Sequence, residues 1–329
     1  MQSKFFFGVC LFRIFLFGFF NSFFVLSVQA NEYPIKSIRL VVAFPAGGAS
    51  DVAARVIATG LSQRLSQVVF VDNISGASGN LGSDKVAKAA PDGYTLLFAT
   101  LSTGINPSLF KSMPFNVLQD FSPVSLISTS PYVLLVNSQT EIRNVGDLIT
   151  EAKKSSGRLM YASAGPGSGA HLFMELFASQ VGIKLIHVPY RGGAPAMNDV
   201  LSGLVPLTFD SVMTAMPHVQ SGKLRALAVS TAKRSAIAQS VPTLGEVGVT
   251  GYEATAWFGI FSTAGTPRPV IDKLNAVIGE VLTQSEVKMR LLDLGSEPLH
   301  SSPEELQTYL RNEVSKWSAV IKSAGITAN

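Results

Sequence analysis

Residues 38–44 form an almost unbroken apolar run, rich in β-branched side chains and interrupted only by Arg39. Without polar alternation, such a run predicts a strand buried on both faces. Gly47-Gly48-Ala49 follows, and a helical pattern then spans 51–65, with Val52, Val56, Leu61 and Leu65 as apolar positions. Residues 68–71 read as a second strand, 85–90 as the end of another helix, and 94–99 as a strand entered through the turn Pro91-Asp92-Gly93. This strand–turn–helix–strand rhythm predicts a parallel sheet covered by helices.

The rhythm restarts near Pro131. Strands are predicted at 132–136, 159–162, 184–188, 207–210 and 224–230, with helices at 145–154, 171–181 and 194–202. After an apolar run at 257–261 the chain turns mainly helical, over 269–282 and 287–294. The last helix opens on Ser302-Pro303-Glu304-Glu305, which supplies an N-cap serine, a first-turn proline and a capping-box glutamate. Two strand-rich units with a helical tail that closes back on one of them predict two α/β lobes.

Composition narrows the class. The chain has 329 residues, roughly two domains' worth of sequence. It is 47% hydrophobic and 15% charged, which excludes a disordered chain. A formal charge of +4 without a basic cluster gives no footprint for nucleic acid. Ten of the 21 phenylalanines lie between Phe5 and Phe24, behind Lys4 and ahead of Val28-Gln29-Ala30. A basic start, an apolar stretch and a small-residue ending predict a secretory signal peptide over 1–30, cleaved after Ala30. Arg13 interrupts the stretch and leaves about 15 mostly apolar residues, fewer than the ~20 that span a bilayer. The single cysteine, Cys10, lies inside that segment, so the exported chain carries none, which suits an oxidising compartment. Loss of Lys4 and Arg13 lowers the formal charge from +4 to +2, and charge then says little about the partner.

The candidate chemistry lies in two glycine-rich strand-to-helix loops. In open α/β sheets, ligands bind beyond the carboxyl ends of the strands, where a helix start offers free N–H groups and the positive end of its dipole. The first loop is Pro45-Ala46-Gly47-Gly48-Ala49-Ser50-Asp51 and the second is Ser163-Ala164-Gly165-Pro166-Gly167-Ser168-Gly169. Glycine lets backbone approach a ligand closely, and it equally satisfies the geometry of an ordinary turn. The residues alone leave both readings open.

Other motifs are weaker. Gly165-x-Gly167-x-x-Ala170 matches a relaxed dinucleotide fingerprint, but the stretch about 20 residues on, Leu185-Ile186-His187-Val188, lacks the required acid. No nucleophile elbow appears, and no carboxylate is placed to orient His171 towards Ser168. His171, His187, His218 and His300 show no metal spacing. No cofactor, metal or catalytic constellation is expected.

Several ordered blocks carry a family resemblance: FPAGGASD (44–51), PDGYTLLFAT (91–100), INPSLF (105–110), DFSPVSLI (120–127), YASAGPGSGAHL (161–172), HVPYRGGAPAMNDVLSG (187–203), GKLRALAVST (222–231), VPTLGEVG (241–248) and FGIFSTAGTP (258–267). Across the whole chain after the leader, the sequence resembles the Bug family of periplasmic solute receptors, the substrate-binding component of tripartite tricarboxylate transporters. The resemblance implies a two-lobed periplasmic-binding-protein-like α/β fold of type II. Each lobe would be a central sheet flanked by helices, with two crossover segments. Residues 31–128 and 253–329 would form lobe 1, and 129–252 lobe 2.

The resemblance also implies a small organic carboxylate held by backbone amides and ordered waters from two opposing loops, with little direct salt bridging. Carried onto this chain, the first loop supplies Gly47, Gly48, Ala49, Ser50 and Asp51. The second supplies Ala164, Gly165, Gly167, Ser168 and His171, with Pro166 removing one N–H donor. Ser102, Thr103 and Asn106 add polar contacts, and Arg191, Gly192, Gly193 and Asp210 face the same cleft. Asp51 repels an anion, and a first-turn helix role accounts for it as well as ligand contact does. The implied partners are a dicarboxylate, tricarboxylate, amino acid or aromatic acid and the permease subunits of a tripartite transporter. The implied receptor is a monomer and not an enzyme. An α/β enzyme acting on a carboxylate and a sensory receptor of the same fold are the alternatives.

Overall fold

The computed structural model describes residues 33–327, so the expected signal peptide lies outside the described residues. In chain order the elements are β1 (Ile38–Val42), α1 (Ala49–Leu65), β2 (Val69–Asn73), α2 (Asn80–Ala87), β3 (Thr95–Thr100), α3 (Leu101–Leu109) and the long β4 (Phe121–Asn137). Next come α4 (Val145–Lys154), β5 (Met160–Ser163), α5 (Gly169–Val181), β6 (Ile186–Pro189), α6 (Gly193–Ser202), β7 (Leu207–Ser211), α7 (Val212–Gln220) and β8 (Leu224–Val229). The chain ends with β9 (Thr255–Thr263), α8 (Arg268–Thr283), α9 (Ser285–Asp293), β10 (Glu297–Pro298) and α10 (Pro303–Ala324).

Two α/β halves share β4. The strands run β2-β1-β3-β9-β4-β7-β5-β6, with β8 and β10 also paired to β4. Residues Phe121–Pro131 of β4 pair with β9, whereas Tyr132–Val136 pair with β7 and Val133–Asn137 with β8. One strand therefore belongs to both halves and changes partners between Pro131 and Tyr132. Each half is parallel where strand–helix–strand units build it: β1 with β2 and β3, and β5 with β6 and β7. The expected parallel pairing is present within these units, and the sheet as a whole is mixed, because β9 runs antiparallel to β3 and to β4, and β4 runs antiparallel to β7 and β8. A strand that carries the chain from one half to the other enters each beside strands that run the opposite way.

The halves are covered by helices whose apolar faces pack on the strands. Phe173 of α5 stacks on Trp317 of α10 at 5.5 Å and 17°, and Tyr252 Oη donates to the Phe173 carbonyl at 2.8 Å. The C-terminal helix thus reaches both α3 and α5. Its start was legible: Glu305 N–H donates to Ser302 Oγ at 3.1 Å and Ser302 N–H to Glu305 Oε2 at 2.8 Å. Buried Glu313 fixes its middle, accepting from the Trp257 and Trp317 indoles at 3.2 and 2.8 Å.

Candidate functional site

The first loop follows β1. Gly47 has φ +83°, a backbone that side-chain-bearing residues avoid, and the turn it makes brings Gly48 to the N-cap of α1. Asp51 locks this turn. Its Oδ2 accepts the Gly47 amide at 2.9 Å and Arg55 Nε at 3.0 Å, and its Oδ1 accepts Asn73 Nδ2 at 3.0 Å. Asn73 also donates to the Phe44 carbonyl at 3.0 Å, which ties the end of β2 to the loop. Asp51 is 3% exposed, and the Arg55 hydrogen bond holds its carboxyl below the ordinary 3.8 despite burial.

Gly48 offers no side chain to cap α1, and among the described residues the Ala49, Ser50 and Asp51 amides find no acceptor; the first helical bond is Val52 N–H to the Gly48 carbonyl. Gly48 itself needs no glycine for its conformation. Its φ is −77°, and an added Cβ would meet only the Pro45 carbonyl, at 3.6 Å.

The second loop follows β5 and repeats the device. Gly167 has φ +74° and donates its amide to His171 Nδ1 at 3.1 Å. Ser168 is the N-cap of α5 and accepts the His171 amide at 3.4 Å. The Gly165 amide reaches Ser163 Oγ at 3.1 Å, and the Ser168 amide reaches the Gly165 carbonyl at 3.1 Å. With Pro166 lacking an N–H, the amides left without an acceptor among the described residues at this helix start are those of Gly169 and Ala170. Position by position, Gly47, Gly48, Ala49, Ser50 and Asp51 correspond to Gly167, Ser168, Gly169, Ala170 and His171.

Around the second loop, Gly192 donates to the Ala164 carbonyl at 3.3 Å, which seats the Arg191–Gly193 segment against it. Arg191 is exposed. A Cβ on Gly167 would lie 2.8 Å from Leu109 Cδ1, so the end of α3 touches this loop. Tyr132 Oη would lie 3.2 Å from a Cβ on Gly169. Asp210, at the end of β7, gives Oδ1 to Ser211 N–H at 2.6 Å and Thr214 Oγ1 at 2.7 Å, and burial pushes its carboxyl upward. Burial, with Asp210 adding to it, pushes Tyr132 to about 12.

The remaining predicted residues lie on α3. Thr100 caps this helix, and Ser102 Oγ sits 2.8 Å from Thr100 Oγ1. Thr103 is buried. Asn106 is also buried and gives its Nδ2 to the Ser78 carbonyl at 2.9 Å and Asn80 Oδ1 at 2.8 Å. Its amide nitrogen therefore clamps the β2–α2 segment. That segment holds four successive residues at positive φ, Gly76 to Gly79, and sequence reasoning did not single it out. Among the described residues, no hydrogen bond joins the first loop to the second. A surface groove of about 400 Å³ lined by Arg268, Glu304 and Arg311 contains none of the predicted site residues.

The second loop has a further support. The rings of His171 and His187 stack at 3.8 Å and 16°, Tyr161 stacks on His187 at 5.0 Å, and His187 Nε2 lies 2.6 Å from Ser163 Oγ. Sequence reading treats His187 as structural or exposed, and no spacing signal connects it to the loop, because β6 reaches β5 only through the sheet.

Comparison with known proteins places this geometry in context. Residues 53–326 match a family described as the tripartite tricarboxylate transporter family receptor. The protein BugT of Bordetella pertussis is 36% identical over 300 residues, covering 91% of this chain and 92% of that protein. A solved structure of R. palustris Rpa4515 with adipate is 36% identical with a TM-score of 0.73, covering 90% of this chain and 99% of that one. MatC from Rhodopseudomonas palustris, with bound malate, is 32% identical with a TM-score of 0.70, covering 88% and 100%. The fold is that of two-lobed periplasmic binding proteins, and the family and its solved relatives are solute-binding receptors rather than enzymes. The chain belongs to the tripartite tricarboxylate transporter family of receptors.

Proposed function

We propose that this receptor captures a small organic carboxylate by backbone amides from the two glycine loops. Ala49 and Ser50 would act from one side and Gly169 and Ala170 from the other, and permease subunits of a tripartite transporter would receive the ligand. The observation that supports this most is the matched pair of helix starts. In each, an acceptor at the third helical residue ties down the glycine four positions earlier, and among the described residues the first two helical amides are left without a partner, that of Asp51 also being open at α1. Helix N-termini favour anions through those amides and through the dipole. At α1 the N-cap is a glycine that nothing in the local backbone demands, which keeps the approach clear.

In this reading Asp51 shapes the first loop rather than touching the ligand, since both its oxygens are already engaged. Gly47, Gly165 and Gly167 are likewise shaping positions. Asn106 acts through its clamp on Ser78 and Asn80, Gly192 through its bond to Ala164, and Ser102, Thr103, Arg191 and Asp210 line the surroundings. The lobes would be residues 31–128 with 253–329, and 129–252, hinged where β4 changes partners. Closure of such lobes about a ligand is a known mode of binding proteins. The ligand class follows the relatives solved with adipate and malate. Micromolar capture corresponds to about −8 kcal/mol, within reach of a few amide and water contacts plus burial. The chain would act as a monomer in the periplasm after cleavage behind Ala30.

A thermal-shift panel of organic acids tests the reading. An acid at ~100 times its Kd should stabilise the folded chain by about 2.7 kcal/mol. If no acid moves the melting curve, the reading fails. If a bound acid is chemically converted over hours, an enzyme is favoured instead.

A further inference from the structure

The two loops are locked by the same hydrogen bond but by different chemistry. The Gly47 amide is held by a carboxylate whose acceptor character persists into acid. The Gly167 amide is held by His171 Nδ1, a nitrogen that accepts only while it carries no proton. The ring is fixed in place by its 3.8 Å stack on His187, which in turn contacts Ser163 Oγ, the partner of the Gly165 amide. Both loop amides nearest the proline are therefore tied to the histidine pair.

Among the described residues, the charged and titratable groups on the elements around this pair offer His171 no counter-ion. Tyr161 of β5 is a phenol held neutral, its Oη donating to Glu175 at 2.5 Å, so that carboxylate is already engaged. Asp210 of β7 is bonded to Ser211 and Thr214, and Glu313 of α10 to two indoles. His187 of β6 is a second potential cation against the same ring face.

We propose that His171 is a positioning residue for ligand capture: its neutral Nδ1 sets the second loop, and protonation releases the Gly167 amide and with it the carboxylate. The proposal rests on the two-loop reading above. Burial, with His187 adding to it, lowers His171 from 6.5 to about 4, and burial lowers His187 as well. The lock is thus intact through neutral and mildly acidic conditions, where an ordinary histidine would already be charged.

The test has one arm that needs no ligand. In the ¹⁵N-labelled free protein, His171 should show an unprotonated Nδ1 at pH 7, and the Gly167 amide should shift along the same titration curve. A protonated Nδ1 at pH 7, or a Gly167 amide blind to the titration of His171, overturns the lock. The second arm uses adipate with the unsubstituted protein, His171→Asn and His171→Ala. Asparagine Oδ1 can accept the Gly167 amide without titrating, so His171→Asn should bind within threefold at pH 7. The ratio of the unsubstituted Kd to that of His171→Asn should rise about fourfold between pH 6 and pH 3.5, one proton's worth at a folded value near 4. His171→Ala should weaken binding tenfold or more at every pH. A pH-independent ratio, or His171→Ala binding like the unsubstituted chain, overturns the proposal. If adipate binding is indifferent to His171 while the Gly167 amide still follows its titration, the lock stands and the fault lies in the two-loop reading.

Discussion

Asp51 and His171 hold the same place in two different helices: each is the third residue, and each accepts the amide of the glycine four positions earlier, at 2.9 and 3.1 Å. This shared bond turns two glycine-rich stretches into two fixed helix entrances. It also separates glycines that shape a loop from a glycine that leaves space open, and the two kinds respond differently to substitution.

Gly48→Val should abolish carboxylate binding and leave the melting temperature nearly unchanged, because its backbone is extended and the space beside it is open. Gly167→Val should instead destabilise the fold by more than ~1 kcal/mol, since φ is +74° and Leu109 Cδ1 lies 2.8 Å from the new Cβ. Calorimetric titration with adipate, together with urea unfolding of both variants, checks the contrast.

Asp51→Ala should cost ~1.5–3 kcal/mol, the scale of hydrogen bonds to a charged group, because it leaves Gly47 and Asn73 without their acceptor. Asp51 is depressed in the folded state, so its contribution is present above pH 3.8 and lost as pH falls through the lower folded value. Urea midpoints of the two proteins should differ at pH 7 and converge in strong acid.

Arg191→Ala should weaken binding by about 1 kcal/mol or less, since the side chain is exposed and the segment is seated through the Gly192 amide. A loss of about 3–5 kcal/mol in titration calorimetry would mark a buried ion pair to the ligand and displace the amide grip.

His171 also imprints the stability curve. Between pH 6.5 and about 4 the unfolded chain takes up a proton that the folded ring refuses, so stability present above 6.5 declines across that window. His171→Asn should flatten the decline in urea midpoint from pH 7 to pH 4. An equal slope in both proteins would show that the ring titrates normally in the fold.

Much of this architecture is legible wherever local chemistry decides the structure. β1 is an apolar run, and Ser302 with Glu305 announces the start of α10. Two helices are not legible. α3 contains Gly104 and Pro107, and α7 contains Pro217. Their propensities argue for loops, and tertiary packing overrides them: Gly104 lets α3 approach so closely that an added Cβ would lie 3.0 Å from Glu313 Cβ. Only the end of β4 reads as a strand, because Pro123, Pro131 and several serines obscure the pattern where the register shifts against β9. The glycine loops are legible as candidates, but which amides stay open is not. That depends on Asp51 and His171 turning back on their own loops, with Asn73 and His187 arriving from other strands through the sheet.

The central claim concerns four backbone amides, and backbone NMR reads them directly. Adding saturating adipate to the ¹⁵N-labelled chain should shift the Ala49, Ser50, Gly169 and Ala170 amide resonances most strongly, as new acceptors arrive at two helix starts. The Gly47 and Gly167 amides, already bonded to Asp51 and His171, should move far less. Saturable adipate binding that leaves those four resonances in place would contradict the account and move the site elsewhere on the chain.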